Sequence, residues 1–136
     1  MANYNNPFNL RKSNSQWLGK VTPKDAEFEH FDTIEHGLRA GIKTLITYVF
    51  RHHITTIRDI ITRYAPSSEN DTERYIGFVS QFVGLSPDCD ILADGKTDLL
   101  FFARLCGAIA WFESHYDLKW DEFFGIIDKY HLSKYF

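Results

Sequence analysis

Glu113 closes the most apolar stretch of the sequence, Leu105-Cys106-Gly107-Ala108-Ile109-Ala110-Trp111-Phe112-Glu113-Ser114. A carboxyl group at the end of a buried helix meets two effects that raise its pKa. Aromatic neighbours desolvate it, and the negative end of the helix dipole opposes its charge. A Glu tuned toward neutrality can hold a proton at pH 7 and give it to a glycosidic oxygen as a general acid. The competing reading of the same position is a helix-terminal Glu pointing into water.

A glycosidase of the retaining or inverting kind needs a second carboxylate, about 5 Å or 6.5–9.5 Å from the acid. Glu27 and Glu29 are candidates, since a hairpin around them would face Glu113 across a groove. Glu69 and Asp71 form a further acidic pair. However, Ser67-Ser68-Glu69-Asn70-Asp71-Thr72 is also what the start of a helix prefers, so capping competes with catalysis there. His52 and His53 are adjacent and would point about 100° apart on a helix, and neither paired cysteines nor His-x-x-x-His supports a zinc site. No metal or cofactor is expected. No Ser-His-Asp set, glycine-rich phosphate loop or nucleotide fingerprint is visible. Cys89 and Cys106 lack metal-type spacing and read as free, buried thiols.

Composition narrows the field further. The 136 residues suit one domain, 1–136, able to bury a core without disulfides or metals. Twelve Phe, seven Tyr and three Trp exceed what a small core needs, so some rings should line a groove, where they can stack on sugar faces. A net charge of −3 and scattered basic residues argue against nucleic acid. No apolar run approaches the roughly 20 residues of a membrane span. The start, Met-Ala-Asn-Tyr-Asn-Asn, lacks a secretory signal. The expectation is synthesis in the cytoplasm and action at the bacterial cell wall or in a phage particle, with another machine carrying the protein out.

The elements that must position Glu113 are mainly helical. Residues 1–32 lack helical periodicity, with strands expected at Lys20-Val21-Thr22 and Phe28-Glu29-His30-Phe31. A first helix should follow Asp32 or Thr33, with Glu35 completing a capping box, and bury Leu38, Ile42, Leu45 and Val49. A second follows Thr55 or Thr56, turns Ile57, Ile60, Ile61 and Tyr64 inward, and ends at Pro66. A third follows Asn70 or Asp71, buries Ile76, Val79 and Val83, and stops at Gly84. Ser86-Pro87 suggests a brief helical turn. The fourth, about Thr97 to Glu113, is apolar on nearly all sides and so should be central. A final amphipathic helix carries Trp120, Phe123, Phe124, Ile127 and Tyr130.

Two resemblances bear on function. Ala108-x-x-x-x-Glu113-Ser114 resembles the segment ending the catalytic helix of lytic transglycosylases and bacterial glucosaminidases. Asn5-Asn6-Pro7-Phe8-Asn9-Leu10-Arg11, Trp17-Leu18-Gly19 and Phe28-Glu29-His30-Phe31 resemble motifs that follow that helix in those families, although here they precede it. Arg39-Ala40-Gly41-Ile42-Lys43-Thr44-Leu45, Thr62-Arg63-Tyr64-Ala65 and Thr72-Glu73-Arg74-Tyr75-Ile76 are similar to later segments of the transglycosylases. The chain is also similar to small phage virion or structural proteins, through Asn6-Pro7-Phe8-Asn9-Leu10-Arg11, Gly37-Leu38-Arg39-Ala40 and Ala65-Pro66-Ser67-Ser68-Glu69-Asn70-Asp71-Thr72-Glu73-Arg74-Tyr75-Ile76.

Together these imply a lysozyme-like domain with permuted elements, its catalytic helix moved from first to fourth. They imply peptidoglycan glycan strands as the partner, Glu113 as the acid, and phage virion or lysis proteins as associates. Transglycosylases need no second carboxylate, because the substrate's own groups complete the reaction. Trp17, Tyr64 and Trp111 would hold sugars, with Asn6, Asn9, Arg11 and His115 near the glycan. Turn-making competes with that role for Asn6, Asn9 and Arg11, and simple exposure for His115. The alternative function is a non-enzymatic virion or wall-binding protein. If the permutation holds, the Asn5–Arg11 segment must lie against the end of the helix bearing Glu113.

Overall fold

The computed structural model describes residues 4–22, 27–67 and 71–136. Glu69 lies outside the described residues. Two short antiparallel strands, β1 (Lys20–Val21) and β2 (His30–Phe31), pair Lys20 with Phe31 and Val21 with His30. An isolated bridge between Arg11 and Phe28 extends this hairpin toward the N-terminal segment. The rest is helical, so the chain is mainly α with a small hairpin near its N-terminus.

Helix α1 (Ile34–Ile46) starts at Thr33, whose hydroxyl accepts from the His36 backbone N–H at 3.2 Å. The expected capping box between Asp32 and Glu35 does not form. Asp32 instead meets His36 Nδ1 at 2.6 Å. Glu35 reaches across to the last helix, accepting from Lys129 Nζ at 2.8 Å and the Tyr130 hydroxyl at 2.6 Å. Leu38, Ile42 and Leu45 are buried as their spacing predicts. Beyond Ile46 the chain widens into a π-helical turn, Thr47–Arg51, that keeps Val49 buried but changes which side Tyr48 faces.

Helices α2 (Ile57–Tyr64) and α3 (Thr72–Val83) begin at Thr56 and Asp71, whose side chains accept from the Asp59 and Arg74 N–H groups at 3.2 Å each. Asp71 is therefore an exposed cap. Pro66 follows the end of α2, and Gly84 ends α3 in the left-handed region at φ 72°. Ser86-Pro87 forms a plain turn, with Cys89 N–H donating to the Ser86 carbonyl at 3.2 Å, rather than a turn of helix.

Helix α4 (Leu99–Ser114) packs chiefly on α3 and also on α1, burying Phe102, Leu105, Cys106, Ala108, Ile109 and Ala110. It is less enclosed than its composition suggests. Leu100, Arg104 and Trp111 form a stripe open to solvent. Both cysteines are free, but only Cys106 is buried; Cys89 is exposed. Helix α5 (Trp120–Lys129) buries Phe123, Ile126 and Ile127 and leaves Trp120 exposed. A 3-10 turn, Ser133–Tyr135, then delivers the Phe136 ring against Phe50 and Phe102, with centroids 5.7 and 5.1 Å away. None of these helices is long and apolar enough to cross a membrane.

The N-terminal segment lies flat on α1 because α1 has glycine at two successive helical turns. A Cβ on Gly37 would stand 1.7 Å from the Asn5 carbonyl oxygen, and one on Gly41 would stand 2.1 Å from the Phe8 ring. Phe8 is fully buried on that bare helix surface. Asn6, expected at the glycan, is only 2% exposed. Its side chain accepts from Leu10 N–H and donates to the carbonyls of Leu10 and Glu29, each at 3.0 Å. Asn6 staples the loop shut, so its polar groups are spent on the backbone.

Candidate active site

Pro7, Phe8 and Asn9 bridge the ends of two helices. The Ser114 hydroxyl donates to the Pro7 carbonyl at 2.6 Å, and the Tyr64 hydroxyl donates to the Phe8 carbonyl. Asn9 sits at φ 51°, a left-handed conformation that Asn tolerates better than most residues. That twist aims its amide at the end of α4. Asn9 Nδ2 donates to the Glu113 backbone carbonyl at 2.9 Å and to Glu113 Oε1 at 3.1 Å. The Asn5–Arg11 segment thus sits against the end of α4, across roughly a hundred residues of chain.

The other carboxyl oxygen is held by α3. The Tyr75 hydroxyl donates to Glu113 Oε2 at 2.8 Å, and the Tyr75 ring stacks on Phe112 with centroids 3.9 Å apart. Tyr75 is only 1% exposed. Burial first, and then the nearby Glu113 charge, push its hydroxyl well above the ordinary tyrosine pKa, so it stays a donor. The buried Tyr64 hydroxyl is raised for the same two reasons.

Glu113 itself is half-buried, and that burial raises its pKa. The Tyr75 and Asn9 hydrogen bonds and the positive charge of Arg11 pull it partly back. Desolvation wins. A carboxyl group offers about four lone-pair positions, and one donor on each oxygen leaves room for a proton.

Glu113 opens into a groove of about 530 Å³, with Arg11 and Trp17 on the loop side and Tyr48 and Tyr64 on the helix side. Arg11 lies over the Phe28 ring at 4.9 Å, and Phe28 is also in the wall. Tyr48 and Tyr64 meet edge to face at 6.3 Å. Among the described residues lining the groove, Glu113 is the carboxylate.

The groove therefore unites Asn9, Arg11, Trp17, Tyr64 and Glu113, and leaves out several expected members. Glu29 is 1% exposed and lies behind the wall, 3.3 Å from Lys20 Nζ and 3.2 Å from the Ser13 hydroxyl. The backbone pairing that places Phe28 in the groove turns the next residue inward, toward the loop core. Glu27 is exposed and outside the lining. Trp111 is two residues from Glu113, a helical rotation of about 200°, and opens on the far side of α4. His115 is exposed and packs on Trp111 rather than on the groove. Among the described residues, no group of three or more His, Cys, Asp or Glu side chains gathers in a metal-binding arrangement.

Sequence reasoning missed Tyr75 and Tyr48. For Tyr75 a signal existed, since it lies four residues before Val79 on the apolar face of α3, and a buried tyrosine hydroxyl needs a partner. For Tyr48 there was none, because the π-helical turn breaks the spacing from which its direction would be read.

Comparison with known proteins gives one informative relative. The chain is 42% identical over 85 residues to Protein P5 of Pseudoalteromonas phage PM2. The chain is homologous to a phage protein. The match covers 60% of this chain and 53% of that protein, so it spans about half the relative's length. No protein-family model matches the sequence.

The Tyr75 contact yields a direct expectation. Tyr75→Phe removes a hydrogen bond that lowers the Glu113 pKa, so that pKa should rise further. Carbon-13 titration of the Glu113 carboxyl should show a midpoint displaced to higher pH, with α3 and α4 intact by circular dichroism. A midpoint displaced downward would mean that the hydroxyl does not act as a donor to Glu113.

Proposed function

We propose that the protein cleaves glycan strands of peptidoglycan in a phage context, with Glu113 as the general acid. The observation that carries this reading is a single carboxyl group, made more basic by burial, gripped on both oxygens and opening into an aromatic-walled groove. A protonated Glu113 donates to the leaving glycosidic oxygen, while Trp17, Tyr48 and Tyr64 offer ring faces to successive sugars. Arg11 at the same wall suits the carboxylate-bearing substituents of a bacterial wall polymer.

The position of Glu29 bears on the type of cleavage. A second catalytic carboxylate must reach the sugar, and Glu29 is buried, ion-paired with Lys20 and separated from the groove by Ser13, a wall residue whose hydroxyl donates to it. This favours the lytic transglycosylase type, in which the substrate's own group completes the reaction. The lysozyme-like, permuted architecture is part of the same proposal. Its support is the seating of the Asn5–Arg11 segment against Glu113 and Ser114.

Turbidity of purified cell walls, followed by mass spectrometry of the soluble fragments, tests the reading. The expected result is clearing, with fragments lighter by one water than hydrolysis would give. Fragments of hydrolytic mass would keep Glu113 and remove the transglycosylase type. No clearing on any peptidoglycan, native or chemically modified, would leave the second reading, a non-enzymatic phage structural or wall-binding protein. The phage relative is compatible with that reading.

A further inference from the structure

Scattered exposed aromatics are ordinary on a protein surface; several converging on one concavity are not. Phe82, Trp111 and Trp120, respectively 38%, 42% and 47% exposed, share a cavity of about 410 Å³ on the side of α4 opposite Glu113. That size falls within the roughly 300–1,000 Å³ of small-ligand pockets. The rings are held in place beforehand. Trp111 meets His115 edge to face at 5.2 Å, Trp120 stacks on Phe124 at 5.9 Å, and the Arg104 guanidinium covers Phe82 at 5.5 Å. Polar groups stand at the rim: Arg104, which spends one donor on the Phe82 carbonyl, and the ion-paired Asp117 and Lys119.

We propose that this cavity is a second saccharide-binding site, which takes a neutral or acidic pyranose of the same glycan that enters the groove. The inference rests on the proposed function for the identity of the polymer. Flat rings suit the C–H face of a sugar, and the rim supplies the planar Arg104 guanidinium, the Lys119 ammonium and the Asp117 carboxylate for hydroxyl and amide groups at its edge. Two cations against one carboxylate disfavour the other usual guest of an aromatic cage, a quaternary ammonium. Trp and Arg also dominate protein–protein hot spots, but a half-open concavity of about 410 Å³ with ordered rings fits one ring-sized guest better than a flat partner. A polymer that repeats its units can engage both sides of the α4 end. The second contact then raises the effective concentration at the first, gaining on the order of 10²–10⁴ in avidity.

The three tryptophans report on the two sites separately, Trp17 from the groove and Trp111 and Trp120 from the cavity. The full chain carrying Glu113→Gln would be titrated with a soluble N-acetylglucosamine oligosaccharide while the indole N–H signals are followed by NMR. The expected result is movement of the Trp111 and Trp120 signals along a binding curve separate from that of Trp17. Adding Trp120→Ala should remove the response of Trp111, leave that of Trp17, and lower retention on insoluble walls about 10²-fold. The proposal is overturned if neither cavity signal moves, or if Trp111 responds equally without Trp120. It is also overturned if those signals move only with protein concentration, which would mark a protein-docking face. Wall cleavage by the unsubstituted protein is scored apart. Cavity shifts in a protein that cleaves nothing sink the catalytic reading alone, and cleavage without cavity shifts sinks the second site alone.

Discussion

Glu113→Gln is expected to abolish clearing of cell walls while leaving the fold unchanged. Gln keeps the size and shape of the side chain but has no proton to give, and positioned acid catalysis is worth on the order of 10²–10⁴ in rate. The grip on the side chain can survive. The Gln carbonyl can accept from Asn9, and its amide can donate to the Tyr75 oxygen, since a tyrosine hydroxyl both gives and receives. Stability separates this from a trivial loss of structure. Burial raises the Glu113 pKa above its ordinary value, so the folded state holds its proton where the unfolded chain has lost it. The contribution of Glu113 to stability is therefore full below the ordinary pKa and is lost as pH rises through the folded one. Gln does not titrate. Urea unfolding should show the variant gaining on the parent protein as pH rises through that window, with no further change above it. Activity of the parent should fall over the same window as Glu113 ionises. A Glu113→Gln protein that clears walls at the parent rate would place the acid elsewhere, and Glu69, outside the described residues, would become the next candidate.

The sequence made the frame of this site legible and hid much of its wall. Helix starts at Thr33, Thr56 and Asp71 follow from local chemistry, because a short oxygen-bearing side chain satisfies a free N–H a few residues on; the fourth helix, expected from about Thr97, is capped by Asp98. The apolar spacing of α1, and of α3 as far as Val79, likewise fixes which faces are buried, whereas Val83 is half-buried and the all-round apolarity of α4 hid its open stripe at Leu100 and Trp111. Glu113 could be singled out because the length and apolarity of its helix are local properties. Its partners could not. Asn9 and Tyr75 reach it over sequence separations of 104 and 38 residues. No periodicity encodes such a meeting; for Asn9 only the resemblance of motifs suggested it. Trp111 and Glu29 illustrate the opposite error. Nearness along the chain suggests nearness in space, but two steps of a helix reverse the direction of a side chain, and one step along a strand does the same. Asn6 is a polar residue in the same motif as Asn9, and polarity does not say whether water, substrate or backbone will be its partner.

Gly41→Ala tests whether the N-terminal segment is what holds the site together, and it should be costly. In an open helix this change usually stabilises by up to about 1 kcal/mol, since glycine loses more backbone freedom on folding. At Gly41 the new methyl would stand 2.1 Å from the Phe8 ring, and Phe8 is fully buried with no space to yield. Overpacking of this kind costs about 1–3 kcal/mol and sometimes more. The net change should be destabilising despite the gain in helix propensity. Gly77, on α3, supplies the control, because a Cβ there has no neighbour within 4 Å. Gly77→Ala should therefore stabilise, and the same chemical change should carry opposite signs at the two positions in thermal unfolding. The consequence for the site follows from the chain itself. Phe8 lies between Pro7 and Asn9, which hold Ser114 and Glu113, so any shift of its ring is passed to the carboxyl group. A displacement near 1 Å is enough to cost about 10² in rate where positioning matters. The expected pattern is a Gly41→Ala protein that still folds at low temperature, has lost most wall-clearing activity, and shows a perturbed Asn9 side-chain amide signal. Full stability together with full activity would show that Phe8 can move without disturbing Glu113, and that the N-terminal segment only covers α1.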